Sequence, residues 1–252
     1  MQNRFTGTIL PSLFLLLIIA CNACNSRKGQ VPVSLPYTQK TPHPDGTGKV
    51  YMGREIAHVM SAAGGDWLER GTRQQEEDAD AAIKALPLQP TSVVADIGAG
   101  SGYYTFRIAP KLLQGKVYAV EVQEEFIASL EARKKNSGLS NITVVKGSAA
   151  APNLPEASVD LALMVDVYHE LEYPKEMLQA LYKALRPDGK LLLLEYRAED
   201  PSIPIKELHK MSVAQANKEL AAAGFMIDKL ETFLPIQHFL LYRKATSKLS
   251  RR

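Results

Sequence analysis

The 252-residue chain has two cysteines, Cys21 and Cys24, and none after them. Everything beyond residue 24 therefore lacks an internal disulfide, a cysteine-ligated metal and a thiol nucleophile. There is one tryptophan, Trp67, and no apolar run comfortable for crossing a bilayer. The longest, ILPSLFLLLIIA (9–20), is short and broken by Pro11. An excess of one charge is missing too: 30 basic residues face 27 acidic ones, a net +3, with the basic residues scattered. That gives no support for nucleic acid as the main partner, and none is expected. The basic tail reads as a solvated terminus, and no internal repeat is visible. With 46% hydrophobic and 23% charged residues, the length suits one full domain plus appendages.

The N-terminus stands apart from that domain. Arg4 is followed by the apolar stretch 9–20, then by small Ala20 and Cys21, a pattern of secretory-signal length. Ile18-Ile19-Ala20-Cys21 resembles a bacterial lipoprotein processing site. The resemblance implies cleavage before Cys21, lipidation of Cys21 and a lipid-anchored place in the bacterial cell envelope, facing the periplasm. An uncleaved signal anchor or a misassigned start codon are the alternatives, and an unprocessed chain is cytoplasmic. The expected organisation is a signal peptide over 1–20, a disordered tether rich in Pro, Gly and Ser over 21–50, a folded domain with an N-terminal helical cover over 51–245, and a basic tail over 246–252.

Strand-like and helix-like segments alternate through the domain. Strands are expected at 92–97, 116–122, 141–147, 159–166 and 190–196, with helices at 103–113, 124–138 and 173–185. About 25 residues per strand–helix pair predicts right-handed parallel crossovers in a doubly wound α/β sheet. After a helix at 212–224, the segments 226–234 and 238–244 are joined by a short turn at Pro235 and predict a late antiparallel pair. Residues 53–63 and 73–86 read as helices covering one edge.

The first strand ends in VVADIGAGSGYYT (93–105), which opens a helix at the carboxyl edge of the sheet, where such folds bind ligands. Gly98, Gly100 and Gly102 give G-x-G-x-G rather than the G-x-G-x-x-G of dinucleotide binders. Asp96 at the strand tip repels a pyrophosphate and favours a ligand carrying an ammonium. Glu121, at the tip of the second strand, can accept both hydroxyls of a ribose. A nucleoside with free ribose hydroxyls and a cationic tail fits these groups, and S-adenosylmethionine (SAM) is such a ligand.

VVADIGAGSGYYT resembles the first motif of class I SAM-dependent methyltransferases, and the similarity runs from about residue 91 to 244. LPEASVDLALMVDVYHEL (154–171) is similar to their fourth-strand segment and LRPDGKLLLLEY (185–196) to their fifth strand. The resemblance implies a Rossmann-like, mostly parallel seven-stranded sheet with a late antiparallel strand. It also implies glycine backbone against the cofactor at Gly98, Gly100 and Gly102, Asp96 by the methionyl group, and Glu121 on the ribose. The family's acidic residue after the third strand is replaced by Gly147-Ser148-Ala149, so Ser148 is left to contact the adenine.

Methyl transfer needs alignment, desolvation and in some cases a base. His169, at the tip of the fourth strand, is the candidate base, its other reading being a helix cap. Glu170 is a weaker candidate, read equally as a helix N-terminal carboxylate. Asp166 is expected at the cofactor end of the pocket. Trp67 and His209 are secondary candidates, read first as packing and surface residues. No metal is expected: the fifth strand has no Asp-Asn pair of the kind catechol-type enzymes carry. The function expected is methyl transfer to O or N, or C, of a small-molecule substrate. A lipid-tethered SAM-binding module without turnover and a nucleotide-dependent oxidoreductase are the alternatives.

Overall fold

The computed structural model describes residues 36–245 and Gln2. The signal peptide, the lipidation site Cys21, the tether up to residue 35 and the tail 246–252 lie outside the described residues.

Residues 36–57 depart from both expectations made for them. β1 (Tyr37–Gln39), β2 (Gly46–Tyr51) and β3 (Arg54–Ala57) form an antiparallel sheet, in order β1-β2-β3. The ordered part of the domain thus reaches back into the stretch read as tether, and a strand replaces the start of the helix read over 53–63. The reason is a two-residue hairpin at Met52-Gly53, both at positive φ (49° and 97°), the geometry whose twist matches the flanking strands. The sheet is fastened to the domain by Arg54, which donates from Nε and Nη2 to buried Glu219 (2.8 and 2.9 Å) and from Nη1 to the His169 carbonyl (2.8 Å).

Short α1 (Gly65–Leu68) follows, then α2 (Arg73–Glu77) and α3 (Ala79–Lys84). The helix expected over 73–86 is broken at Asp78, whose positive φ of 53° ends α2 while its carboxylate caps α3 through the Ala81 N–H (3.2 Å).

The main sheet holds β4 (Val93–Ile97), β5 (Lys116–Glu121), β6 (Ile142–Lys146), β7 (Val159–Val165), β8 (Leu185–Tyr196), β9 (Phe225–Glu231) and β10 (Gln237–Lys244). Its order is β6-β5-β4-β7-β8-β10-β9, with β10 antiparallel to both neighbours and the remaining pairs parallel. This is the doubly wound, mostly parallel seven-stranded sheet expected, with its late antiparallel strand. α4 (Thr105–Ile108), α5 (Glu124–Ser137), α6 (Pro174–Ala184) and α7 (Val213–Ala222) cover the faces.

Alternate residues of the central strands feed two cores, which is why these strands read as continuous apolar runs. Val94, Leu161, Leu163, Leu192 and Leu194 pack on one face; Ala95, Ala162, Met164, Leu191 and Leu193 pack on the other. Strand order reverses between β4 and β7, so the carboxyl ends of these two strands flank the crevice where such sheets bind ligands.

Candidate active site

A cavity of about 760 Å³ opens at that crevice. Its floor is the glycine turn after β4. Gly98 and Gly100 line it, both at positive φ (69° and 54°). A Cβ on Gly98 would lie 2.7 Å from Val167 Cγ2, so the backbone approach requires glycine there. Gly102 serves packing instead. It does not line the cavity, and a Cβ there would strike Phe106 and Leu130, so its bare backbone lets the following helix pack against α5.

Glu121, at the end of β5, is buried and lines the cavity. Its Oε2 accepts from the Gly100 N–H (2.9 Å), and Oε1 from the N–H groups of Val122 (2.7 Å) and Gln123 (3.0 Å). The carboxylate thus ties the glycine turn to the second strand while keeping acceptor capacity toward the cavity. Ser148 lines the neighbouring wall, but its hydroxyl is engaged in its own turn with Ala151.

Asp96 lies beneath the turn and is not part of the cavity wall. Its Oδ2 accepts from the Thr105 hydroxyl (2.6 Å), and burial pushes its pKa up to about 6 against that hydrogen bond. A carboxyl whose folded pKa exceeds the ordinary 3.8 holds its proton better in the folded state. Its stabilising effect is full below pH 4 and is lost as pH rises through 6, a change of about 3 kcal/mol. Asp96→Asn keeps an acceptor for Thr105 and carries no buried charge. It is expected to unfold at higher urea than wild type at pH 8, with the gap closing at pH 4. A gap of equal size at both pH values would show that Asp96 is not charged at a cost.

The wall beside the glycine turn is polar. Asp166, at positive φ (53°), lines it, with Oδ2 accepting from Gln237 Nε2 (2.7 Å) and Oδ1 sealed from solvent without a partner among the described residues. Burial, then the nearby Glu77 and Glu195 carboxylates, raise its pKa well above the usual range. Arg73 lines the same wall, salt-bridged to Glu77 through Nε (2.8 Å).

His169 and Glu170 sit on one 3-10 turn, Tyr168–Glu170, directly after β7. His169 is buried with Nδ1 at 2.7 Å from Glu195 Oε2, and its Nε2 is 3.2 Å from His209 Nδ1. Burial opposes its charge, but the Glu195 carboxylate outweighs it, so its pKa is raised. Burial and then His169 lower His209 to about 4, and burial lifts Glu170 to about 7. Glu170 Oε2 accepts from the Met60 N–H (3.0 Å), which ties the segment after β3 over the cavity.

Of the residues singled out in the sequence, the fold brings Gly98, Gly100, Glu121, Ser148, Asp166, His169, Glu170, Trp67 and His209 to one cavity. It leaves Asp96 and Gly102 beneath its floor. Trp67 is 47% exposed at the wall, its ring 3.8 Å beneath the Arg70 guanidinium, rather than packed in the core. Sequence reasoning missed Glu195, Arg73 and the wall residues Pro44, Asp45, Val59 and Met60. Glu195 had a signal: a carboxylate inside LLLLEY must be buried, and a buried carboxylate needs a partner.

Residues 95–193, under half of the chain, match a protein family described as a methyltransferase domain. An uncharacterised methyltransferase-like protein of Schizosaccharomyces pombe is 34% identical over 120 residues, covering 46% of this chain and 43% of that one. A tRNA U34 carboxymethyltransferase of Desulfotalea psychrophila is 32% identical over 111 residues, covering 44% of this chain and 34% of that one. The chain thus spans less than half the length of these relatives. A SAM-dependent methyltransferase from Aquifex aeolicus shares the fold, with a TM-score of 0.69 at 23% identity, covering 73% of this chain and 98% of that one. Residues 95–193 are thus similar to a methyltransferase domain, and the seven-stranded sheet has the fold of the solved Aquifex aeolicus enzyme.

Proposed function

We propose that this protein is a SAM-dependent methyltransferase acting on an O or N atom, or a C atom, of a small-molecule acceptor. One observation carries the reading: a single cavity joins a nucleoside-type end, built of Glu121 and the glycine turn, to a polar end built of His169, Glu170 and His209. Its volume of about 760 Å³ suits a nucleoside-sized ligand together with a small acceptor.

The residues present fit the cofactor. Glu121 would take the ribose hydroxyls, with the backbone of Gly98 and Gly100 and the wall at Ser148 against the rest of the nucleoside. Asp166 lines the wall and would face an ammonium, and Arg73 on the same wall suits a carboxylate. When bound, SAM supplies an electrophilic methyl group. The chain's own contribution is to enclose the two reactants, align them and deprotonate the acceptor at the polar end, where Glu195 fixes the His169 ring.

Titration calorimetry on the full-length protein tests this. SAM and S-adenosylhomocysteine should bind with micromolar Kd and NADH should not. Glu121→Ala should weaken both by about 1–3 kcal/mol, a loss on the order of 5- to 150-fold. Failure of the folded protein to bind either one overturns the reading. Binding with no methyl transfer to any of a broad set of acceptors would favour a tethered module without turnover. No described helix is long and apolar enough to cross a membrane. Anchoring through lipid on Cys21 is part of the proposal, and Cys21→Ala should then release the protein from the membrane fraction.

A further inference from the structure

We infer that His169, Glu170 and His209 form a binding site for one divalent transition-metal ion, with Zn²⁺ the best-suited occupant, and that its open position faces the acceptor end of the cavity. The site's existence rests on geometry alone; its role rests on the reading of the cavity proposed above.

Three observations carry it. The ligand atoms of these three residues lie within 4.8 Å of one another, although His209 enters from a turn 40 residues away. The two imidazole nitrogens are 3.2 Å apart and their rings are crossed at 71°, not stacked. Two nitrogens bound tetrahedrally to zinc at about 2.0–2.1 Å stand roughly 3.3–3.4 Å apart, so little movement is needed.

The support behind the cluster is also what a metal histidine needs. Fully buried Glu195 engages His169 Nδ1 at 2.7 Å, which places the ring proton on that side and leaves the Nε2 lone pair facing His209 and Glu170. Glu195 is itself held by the Tyr168 N–H (2.8 Å), and Glu170 by the Met60 N–H (3.0 Å). The Met60 N–H takes one Glu170 oxygen and so leaves the other, beside the two imidazoles, for an ion. Nearby cations are engaged by other carboxylates, Lys206 by Asp45 and Arg54 by Glu219.

Two imidazoles and one carboxylate favour zinc, cobalt or nickel over magnesium and calcium, which prefer oxygen donors. Three protein ligands leave a fourth position open, as in sites that do chemistry and unlike closed structural sites. An ion held there would acidify an acceptor hydroxyl at the open position, with the proton passing to solvent, and His169 would then hold the ion instead of acting as the base. The site would therefore narrow the acceptor to one presenting an oxygen, and it runs against the sequence-based expectation of no metal, which the titration below decides.

The test uses full-length protein treated with EDTA, desalted and titrated with Co²⁺ and Zn²⁺, with Mg²⁺ as the contrast. One Co²⁺ per chain should bind with visible ligand-field bands that Zn²⁺ abolishes, while Mg²⁺ gives none. His209→Ala, at a half-buried position, should weaken binding at least 100-fold while keeping the wild-type Tm. His169→Ala should do the same where it folds. His58→Ala, an exposed histidine on the same cavity wall but outside the cluster, should leave the Co²⁺ affinity unchanged. Absence of a stoichiometric ion, or equal binding by His209→Ala, overturns the inference. S-adenosylhomocysteine titrated into the stripped protein separates the two ideas. If it binds where no ion does, the cofactor reading stands and the metal site falls; the converse result reverses that outcome.

Discussion

Glu77→Ala should lower the stability of the domain by about 3–5 kcal/mol and its Tm by roughly 10 °C, whereas Glu76→Ala, one residue earlier, should cost less than about 1 kcal/mol. Both carboxylates pair with Arg70, so the contrast reads the burial of Glu77 together with its further partners. Glu76 is 40% exposed and meets Arg70 at 2.7 Å in solvent reach. Glu77 is fully buried and joins three groups: Oε1 accepts from Arg70 Nη2 (2.6 Å) and the Tyr196 hydroxyl (2.8 Å), and Oε2 accepts from Arg73 Nε (2.8 Å). Removing it strands the buried Arg73 guanidinium with only the Leu68 carbonyl, and leaves a phenol without an acceptor. Because Arg73 and Tyr196 line the cavity, S-adenosylhomocysteine affinity should fall with stability, and the Glu76 variant should keep both. Urea unfolding and calorimetry on the two variants decide it. Equal, small effects would mean that the buried network does not organise this wall.

The main sheet was legible because its strands are buried on both faces. Runs such as VVADI and LLLLEY cannot be read as anything half-exposed, and the glycine turn and Glu121 follow from where those strands end. The N-terminal sheet was hidden for a physical reason. Its hairpin turns on Met52, a residue that rarely adopts positive φ, and polar contacts join the buried Tyr51, Ile56 and Ala57 in holding it. Glu55, for instance, is buried while accepting from the N–H groups of His43 (3.0 Å) and Gly48 (2.9 Å) and pairing with Lys40 (2.6 Å). Composition therefore read 36–50 as tether. The end of the cavity lined by Gly98, Gly100 and Glu121 is made from local sequence around β4 and β5, so its residues were visible. The polar end is assembled from Met60, His169, Glu195 and His209, which only tertiary structure brings together.

Glu195→Gln should reduce methyl-transfer turnover by about 10²- to 10⁴-fold while leaving S-adenosylhomocysteine affinity and Tm close to wild type. The size of the effect follows from a tautomer. In the wild type, Glu195 is acceptor-only: Oε1 takes the Tyr168 N–H and Oε2 takes the proton of His169 Nδ1. A glutamine of the same shape can still accept from Tyr168 with its carbonyl oxygen, which directs its NH₂ at His169. That amide is a donor, so Nδ1 must become the acceptor and the ring proton moves to Nε2. Nε2 is the atom that faces the cavity, and in that form it can neither take a proton from an acceptor nor ligate an ion. The fold has little reason to change, since shape and the Tyr168 hydrogen bond are kept. Two measurements separate this from a general loss of packing. The ¹⁵N shifts of the His169 ring should exchange, with Nε2 becoming the protonated nitrogen. Co²⁺ affinity should fall by at least 10- to 100-fold, the usual consequence of removing an outer-shell carboxylate. Unchanged ring shifts with full turnover would mean that Glu195 holds the strand and not the chemistry. Glu195→Asp restores an acceptor-only partner and should recover the wild-type tautomer, which a purely structural role for the carboxylate would not predict.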